Sequence, residues 1–154
     1  MTEKTIIRLA DRDDAPAITA LIRSVLPFLT EAGDGVSFAD TVTEENVLGY
    51  VTESDGRYQV AMLNGELAGV VSIRDNSHLF HLYVAERFHR RGIARALWQA
   101  ACDDALKRGN PGRFTVKSSP YAVGVYERFG FKATGPRAEQ GGLVYVPMLL
   151  DAAP

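Results

Sequence analysis

The sequence contains a single cysteine, Cys102, among its 154 residues. One cysteine cannot form an internal disulfide, which excludes a disulfide-stapled secreted scaffold and fits a reducing compartment. No apolar run approaches the roughly 20 residues that cross a bilayer. The opening MTEKTIIRLADRDD reaches charged residues too early for a signal peptide. We therefore expect a cytoplasmic protein without a membrane partner.

An excess of basic residues is also missing. The 17 lysines and arginines face 19 aspartates and glutamates, giving a net charge of −2. Proteins built to bind nucleic acid usually carry a broad basic excess, so no nucleic-acid partner is predicted. Hydrophobic residues make up 46% and charged residues 23%, as in ordinary globular proteins. The length favours one domain over residues 1–154.

Two common phosphate-binding fingerprints are absent. There is no Gly-x-x-x-x-Gly-Lys-Ser/Thr, and no Gly-x-Gly-x-x-Gly follows a predicted strand. No set of metal ligands is predicted either.

The stretch ERFHRRGIARALW, Glu86–Trp98, gathers basic side chains around one glycine, Gly92: Arg87, His89, Arg90, Arg91 and Arg95. The unpaired N–H groups of a helix start favour anions. A solvated basic helix face is the alternative, and the turn alone does not decide between them.

The periodicity of apolar residues predicts a mixed α/β fold around one sheet of seven strands with four helices. Predicted strands are Ile6–Leu9, Tyr58–Leu63, Glu66–Arg74, Leu79–Val84, Phe114–Lys117, Phe131–Thr134 and Leu143–Leu150. Predicted helices are a segment ending near Val25, Thr43–Glu53, Gly92–Arg108 and Tyr121–Phe129. The dipeptide Asn64-Gly65 is a strong hairpin signal, so three consecutive antiparallel strands follow. The strand–helix–strand unit from Leu79 to Lys117 should be a right-handed parallel crossover. Residues 30–40 and 135–142 are predicted loops.

Two motifs resemble those of the GNAT superfamily of acetyl-CoA-dependent N-acetyltransferases. LFHLYVAERFHRRGIARAL resembles the family's Val-x-x-x-x-Gln/Arg-x-x-Gly-x-Gly/Ala, through Val84, His89, Gly92 and Ala94. SSPYAVGVYERFGF resembles its Asn-x-x-Ala-x-x-x-Tyr-x-x-x-Gly-Phe, through Ser119, Ala122, Tyr126, Gly130 and Phe131. Two residues depart from the pattern: His89 replaces glutamine or arginine, and Ser119 replaces asparagine.

The resemblance implies the GNAT fold: a mixed, mostly antiparallel sheet splayed between its fourth and fifth strands. Acetyl-CoA would lie in that gap, with its diphosphate on the N–H groups of the basic turn. The implied cofactor-binding residues are Leu82, Tyr83, Val84, His89, Arg90, Arg91, Gly92, Ile93, Ala94, Arg95, Ser119, Ala122 and Tyr126. The implied activity is direct acetyl transfer to a primary amine of a small-molecule or amino-acid-like acceptor. A protein or peptide N-acetyltransferase and a non-catalytic acyl-CoA sensor are the alternatives, and a homodimer stays open.

Two residues are the candidates for proton transfer. Tyr126 matches the family's general-acid tyrosine, and a phenol is protonated at neutral pH. The alternative for Tyr126 is a tyrosine of the hydrophobic core. Alternation along the strand places His78 on the face of Leu82 and His81 on the opposite face, and a neutral imidazole at His78 can act as base. A turn histidine that caps the strand is the alternative for His78.

Other reactive or charged residues are weaker candidates. Glu44 and Glu45 are further candidates for the general base. Cys102 is expected to be a buried, inert thiol. The acceptor pocket is expected from residues 24–50 and the loop Gly135–Gly142. Acidic residues in the first of these segments could attract a cationic amine, or simply form a solvated loop: Asp34, Asp40, Glu44 and Glu45.

Overall fold

The computed structural model describes residues 4–28, 40–53, 57–140 and 143–152. The strands are β1 (Thr5–Leu9), β2 (Tyr58–Leu63), β3 (Glu66–Arg74), β4 (His78–Val84), β5 (Arg113–Ser118), β6 (Lys132–Ala133), β7 (Ala138–Gln140) and β8 (Leu143–Asp151). The longer helices are α1 (Ala15–Val25), α2 (Glu44–Thr52), α3 (Ile93–Lys107) and α4 (Val123–Phe129). None of the helices in these ranges has the length and hydropathy to cross a membrane.

The described strands form one mixed sheet in the order β1-β2-β3-β4-β5-β8-β6, with β7 paired to β8. Strands β1 to β4 are antiparallel neighbours, β4 and β5 are parallel, and β5 is antiparallel to β8. The predicted mixed, mostly antiparallel sheet with four helices is confirmed. At the β2–β3 hairpin, Asn64 and Gly65 have φ of 52° and 84°, the positive values that a tight Asn-Gly turn requires.

One predicted loop contains a strand. Within residues 135–142, β7 pairs with β8 through Ala138↔Tyr145 and Glu139↔Val144. The proline, glycines and charges of GPRAEQGG predicted a loop because such residues are depleted in strands. The polar segment forms a short strand nevertheless, since β8 supplies the partner backbone. Gly141 and Gly142 lie outside the described residues.

Helices cover both faces of the middle of the sheet. Val70 and Val71 are neighbours on β3, so they point to opposite faces, yet both are fully buried. Tyr50 of α2 contacts β4 on one face, and Leu97 of α3 packs on the other. At Gly69, an added Cβ would lie 2.9 Å from both Leu97 Cδ1 and the Tyr83 carbonyl oxygen. The glycine therefore permits the close approach of α3 to β3 and β4.

Candidate active site

Strand β4 pairs with β5 only through its first two residues. The pairing consists of His78↔Thr115 and Leu79↔Val116, and within the described chain the two strands separate beyond it. Past that point β4 keeps β3 on one side only, so alternate N–H and C=O groups of Leu82–Val84 point into the gap. The predicted splay is therefore present, and an extended ligand can pair with this edge of β4 as a strand would.

A cavity of about 1020 Å³ occupies the gap. Its wall includes His78 and every predicted cofactor-binding residue except Arg91. The fold thus brings together residues that lie more than 40 positions apart in the chain, from His78 to Tyr126. The wall also contains residues that the sequence reasoning missed: Arg74, Phe80, Lys117, Tyr121 and Tyr145.

The turn between β4 and α3 presents the start of a helix to this cavity. Gly92 is the N-cap residue, with φ of 76°, a left-handed conformation that favours glycine. The first intrahelical bond runs from Ala96 N–H to the Gly92 carbonyl at 3.0 Å. The helix itself therefore leaves the N–H groups of the residues between them without a partner. These groups, with the positive end of the helix dipole, form a site suited to an anion.

Side chains of the turn contribute unequally to this site. The His89 Nε2 atom lies 2.8 Å from the Val84 carbonyl oxygen, which ties the turn to the end of β4. The Arg95 guanidinium lies over the Phe129 ring, 5.6 Å from its centroid, at the cavity wall. Arg87 instead forms an exposed ion pair with Glu66 at 3.3 Å, so it is engaged outside the cavity.

Tyr126 presents an unbonded hydroxyl to the cavity. The residue is only 6% exposed, and its ring packs edge-on against Phe129 and Phe131. Its hydroxyl makes no hydrogen bond within the described part of the chain and is not among the described buried polar atoms left without a partner, so its oxygen is open to the cavity. Burial raises the pKa of Tyr126 above its ordinary value, so the group is a protonated donor at neutral pH. A ligand in the cavity can therefore accept its hydrogen bond.

A β-bulge in β4 places His78 on the face of the sheet opposite to the one that alternation predicted. Ser72 pairs with His81 but Ile73 pairs with Leu79, which makes Phe80 the extra residue of β4. The bulge reverses the alternation. His78, His81 and Tyr83 therefore share one face, and Leu79, Leu82 and Val84 share the other. The prediction that His78 lies on the face of Leu82, opposite His81, was wrong. The stacked rings of Phe80 and His81, 4.1 Å apart, accompany the bulge.

His78 nevertheless lies in the cavity wall as a neutral imidazole. Its Nδ1 atom is 2.8 Å from Thr115 Oγ1 on the neighbouring strand. Burial, assisted by the charges of Lys117 and Arg74, holds the pKa of His78 below its ordinary value. At neutral pH the side chain is therefore mostly uncharged and able to accept a proton.

His81 is a structural histidine by comparison. It is 4% exposed, and its Nδ1 atom lies 2.8 Å from the Tyr58 hydroxyl. Burial, followed by the charge of Arg74, lowers the pKa of His81 to about 3. The side chain stays neutral throughout the physiological range because it is too weak a base to take up a proton there.

The remaining candidates do not reach the cavity. Glu44 and Glu45 are exposed in the first turn of α2 and are absent from the cavity wall. Asp40 is exposed as well, and Asp34 lies outside the described residues. Cys102 is a free, half-buried thiol of α3, and burial raises its pKa.

Comparison with known proteins agrees with this architecture. The model of the acetyltransferase (GNAT) domain family matches residues 29–152. A GCN5-related N-acetyltransferase from Rhodopseudomonas palustris has 21% identity and a TM-score of 0.79, with 98% of both chains covered. The acetyltransferase YncA from Salmonella typhimurium, solved with acetyl-CoA, has 23% identity and a TM-score of 0.75, again with 98% of both chains covered. The PaiA N-acetyltransferase from Thermoplasma acidophilum, solved with coenzyme A, has 16% identity and a TM-score of 0.76, covering 96% of this chain and 99% of that one.

No curated protein sequence matches the chain significantly. The family model, however, spans most of the chain, which also has the splayed strands and the helix start described above. The chain belongs to the GNAT family of acetyltransferases, enzymes that use acetyl-CoA.

Proposed function

We propose that this acetyltransferase moves the acetyl group of acetyl-CoA to a primary amine of a small-molecule or amino-acid-like acceptor. The observation that carries the proposal is the unbonded hydroxyl of Tyr126 in the wall of the β4–β5 cavity. A protonated phenol that no protein group engages, open to the cavity, fits a ligand that itself needs a proton donor, as the departing thiolate of a thioester does.

The rest of the cavity fits acetyl-CoA in shape and charge. The exposed edge of Leu82–Val84 suits the amide-bearing pantetheine arm, which can pair with backbone. The helix start at Gly92 suits a diphosphate, with Arg90 and Arg95 at its wall. Ser119 and Ala122 line the opposite side and leave room for the arm. The acetyl-CoA and coenzyme A in the two neighbouring structures named above support this assignment.

Acetyl transfer needs a group that accepts a proton from the acceptor ammonium and a group that donates a proton to the departing thiolate. The acceptor ammonium must lose a proton before its nitrogen can attack, and His78 takes it directly or through one water. The new N–C bond forms as the C–S bond of the thioester breaks. The departing sulfur then takes the proton of Tyr126, and the second proton that the nitrogen loses as it becomes an amide restores the phenol, directly or through water. Holding acceptor and thioester in contact supplies much of the remaining acceleration.

The pH dependence of turnover tests the role of His78. The reaction needs the neutral imidazole, so the rate should rise with pH through one ionisation. Because burial and the neighbouring cations lower the pKa of His78, that ionisation should lie below pH about 6.5. His78→Gln should abolish this acid limb and lower turnover, measured from pH 5 to 9 with saturating acetyl-CoA.

The matched control for that profile is His81→Asn. His81 has its pKa near 3, so its replacement should leave the midpoint of the acid limb in place. An acid limb that survives in His78→Gln would instead remove His78 from proton transfer.

Direct transfer predicts that the thiol of Cys102 takes no part. Cys102 lies outside the cavity wall, and its raised pKa keeps it in the unreactive thiol form. Cys102→Ala should therefore retain wild-type turnover. Intact-protein mass measured after incubation with acetyl-CoA alone should show no acetyl adduct. An acetyl group removed from the protein by thiol reagents would establish a covalent intermediate instead.

Release of free thiol from acetyl-CoA, measured across amines, amino acids and peptides, tests the proposed function as a whole. Transfer to small amines or amino acids is the expected result. Transfer to peptides alone would establish a peptide N-acetyltransferase. Tight binding of acetyl-CoA without transfer to any amine would establish a sensor. The cytoplasmic location and the possible homodimer stay predictions.

A further inference from the structure

Three adjacent strands place a row of polar and basic side chains on one face of the sheet, at the closed end of the cavity. Arg74 of β3 pairs with His78 of β4, and His78 pairs with Thr115 of β5. Directly paired residues share a face, with Cβ atoms about 4.5–5.5 Å apart. Lys117 lies two residues further along β5 and so points to the same face. This group of four residues, called here the basic row, borders the point where β4 and β5 begin to separate.

The guanidinium of Arg74 is presented with its hydrogen-bond donors free. Its Cζ atom lies over the Phe80 ring, 3.3 Å from the centroid, and 5.8 Å from the centroid of Tyr50. Stacking engages the π face of the guanidinium and leaves its N–H edges available. Arg74 is exposed, and its side chain makes no hydrogen bond or ion pair with any residue of the described ranges. Phe80, the bulged residue, therefore positions the Arg74 guanidinium so that its N–H groups can donate to a planar anion such as a carboxylate.

The field at this end of the cavity is positive. The Lys117 Nζ atom lies over the Tyr145 ring, 5.1 Å from its centroid, in the same cavity wall. The charges of both Lys117 and Arg74 reach His78, where each lowers the pKa of the imidazole. Among the described wall residues, Asp75 is the single carboxylate, and its opposing effect on His78 is the smallest of the four causes.

A simple amine is poorly matched to such a field. Most primary amines arrive as ammonium ions, which Arg74 and Lys117 repel. An acceptor that carries its own carboxylate offsets this repulsion. Its carboxylate can also accept a bidentate, charge-assisted pair of hydrogen bonds from the guanidinium. The same positive field lowers the pKa of the ammonium and so favours the neutral amine that attacks.

We propose that the natural acceptor is an amine that also carries a carboxylate, as an amino acid does, and that Arg74 binds this carboxylate. The proposal rests on the acetyltransferase function proposed above and adds the chemical class of its acceptor. Lys117 supplies a second positive charge beside the carboxylate. Arg74 is then a specificity-determining residue, acting on binding of the acceptor and not on the proton transfers.

Matched pairs of acceptors test the proposal: leucine with leucinamide, and phenylalanine with phenylalaninamide. The wild-type enzyme should favour each acid over its amide in kcat/KM by about 10- to 100-fold, the scale of a hydrogen-bonded charged pair. Arg74→Gln should reduce this preference to nearly one, mainly by raising KM for the acids. Its kcat/KM with the amides should hold or rise, because the repulsion between Arg74 and the ammonium is removed, whereas a merely structural role for Arg74 would lower kcat/KM for acids and amides alike.

Arg113→Gln is the control variant. Arg113 lies at the other end of β5, exposed and paired with Asp151 at 3.4 Å, so its replacement should leave the preference for acids intact. Arg74→Lys keeps the positive charge but loses the bidentate hydrogen-bonding geometry of the guanidinium, so it should retain part of the preference for acids.

The outcomes separate this proposal from the one it rests on. Equal use of acids and amides by the wild type would overturn the carboxylate proposal while acetyl transfer stands. If acetyl-CoA binds but no amine is acetylated, the proposed function fails. Binding of N-acetyl-leucine and of its amide to the CoA-saturated protein, measured by calorimetry, then decides the remaining question. A preference for the acid that disappears in Arg74→Gln supports the carboxylate site, and equal binding overturns it.

Discussion

Tyr126→Phe should lower turnover by about 10²–10⁴-fold, the usual contribution of general acid–base catalysis, while acetyl-CoA affinity changes little. The phenylalanine ring retains the contacts with Phe129 and Phe131 that hold this side chain in place. Only the hydroxyl is lost, and within the described chain no residue bonds to it. The structure should therefore stay intact while the departing thiolate loses its proton donor. Stopped-flow or steady-state turnover, together with a binding constant for acetyl-CoA, separates the two effects.

Tyr121→Phe is the control for this prediction. Tyr121 borders the same cavity, but it is 68% exposed, so removal of its hydroxyl should leave turnover within a few-fold of wild type. Full activity of Tyr126→Phe would exclude the phenol from the mechanism and assign protonation of the thiolate to water.

Gly92→Val should weaken CoA binding by about 10-fold or more, because the branched side chain occupies the space that the diphosphate approaches. A branched residue in the left-handed region also costs roughly 1–2 kcal/mol, and a turn that shifts to relieve this strain no longer presents its N–H groups to the ligand. An added Cβ at Gly92 has no protein atom within 4 Å, so the protein has room for it. The penalty arises from the φ of 76° and from the approach of the diphosphate to the helix start. The dissociation constant of CoA, measured by calorimetry, reports the loss directly.

Gly109→Val separates backbone strain from ligand contact. Gly109 has φ of 98°, also with no atom near an added Cβ, and it follows the other end of α3, outside the cavity wall. This variant should lose comparable stability in thermal unfolding and keep the CoA affinity of wild type. Unchanged CoA affinity in Gly92→Val would mean that the diphosphate binds elsewhere.

The order of the elements could be predicted from the sequence because local signals mark them. Asn64-Gly65 specifies its hairpin through positive φ, and the apolar period of α3 changes sharply at Gly92. The candidate cofactor residues could be grouped because two motifs place them at fixed distances from such turns. The cavity brings nearly all of them together, as the splay of β4 and β5 requires.

The β4 bulge could not be predicted from the sequence. An extra residue in a strand leaves the alternation of apolar and polar residues locally ambiguous, and HLFHLYV has apolar residues on both faces. The consequence was an incorrect face for His78. The burial of His81 against Tyr58 was hidden for a related reason, since its partner lies 23 residues away on β2.

The basic row was missed because its members are set by pairing across strands. Arg74 and His78 are separated in the sequence by a turn, and Thr115 and Lys117 come from a strand beyond α3. Nothing in the local sequence of β5 distinguishes Lys117 from an ordinary exposed residue of an alternating strand. Only the register of the three strands shows that these side chains share one face.

Simultaneous measurement of free CoA thiol and N-acetylated amine in one reaction tests the central claim most directly. Direct transfer in the β4–β5 cavity predicts that the two products form in equal amounts. It also predicts that both fall together in Tyr126→Phe, while Cys102→Ala leaves them unchanged. Thiol release without an acetylated amine, or acetylated amine that Tyr126→Phe forms at the wild-type rate, would contradict the account.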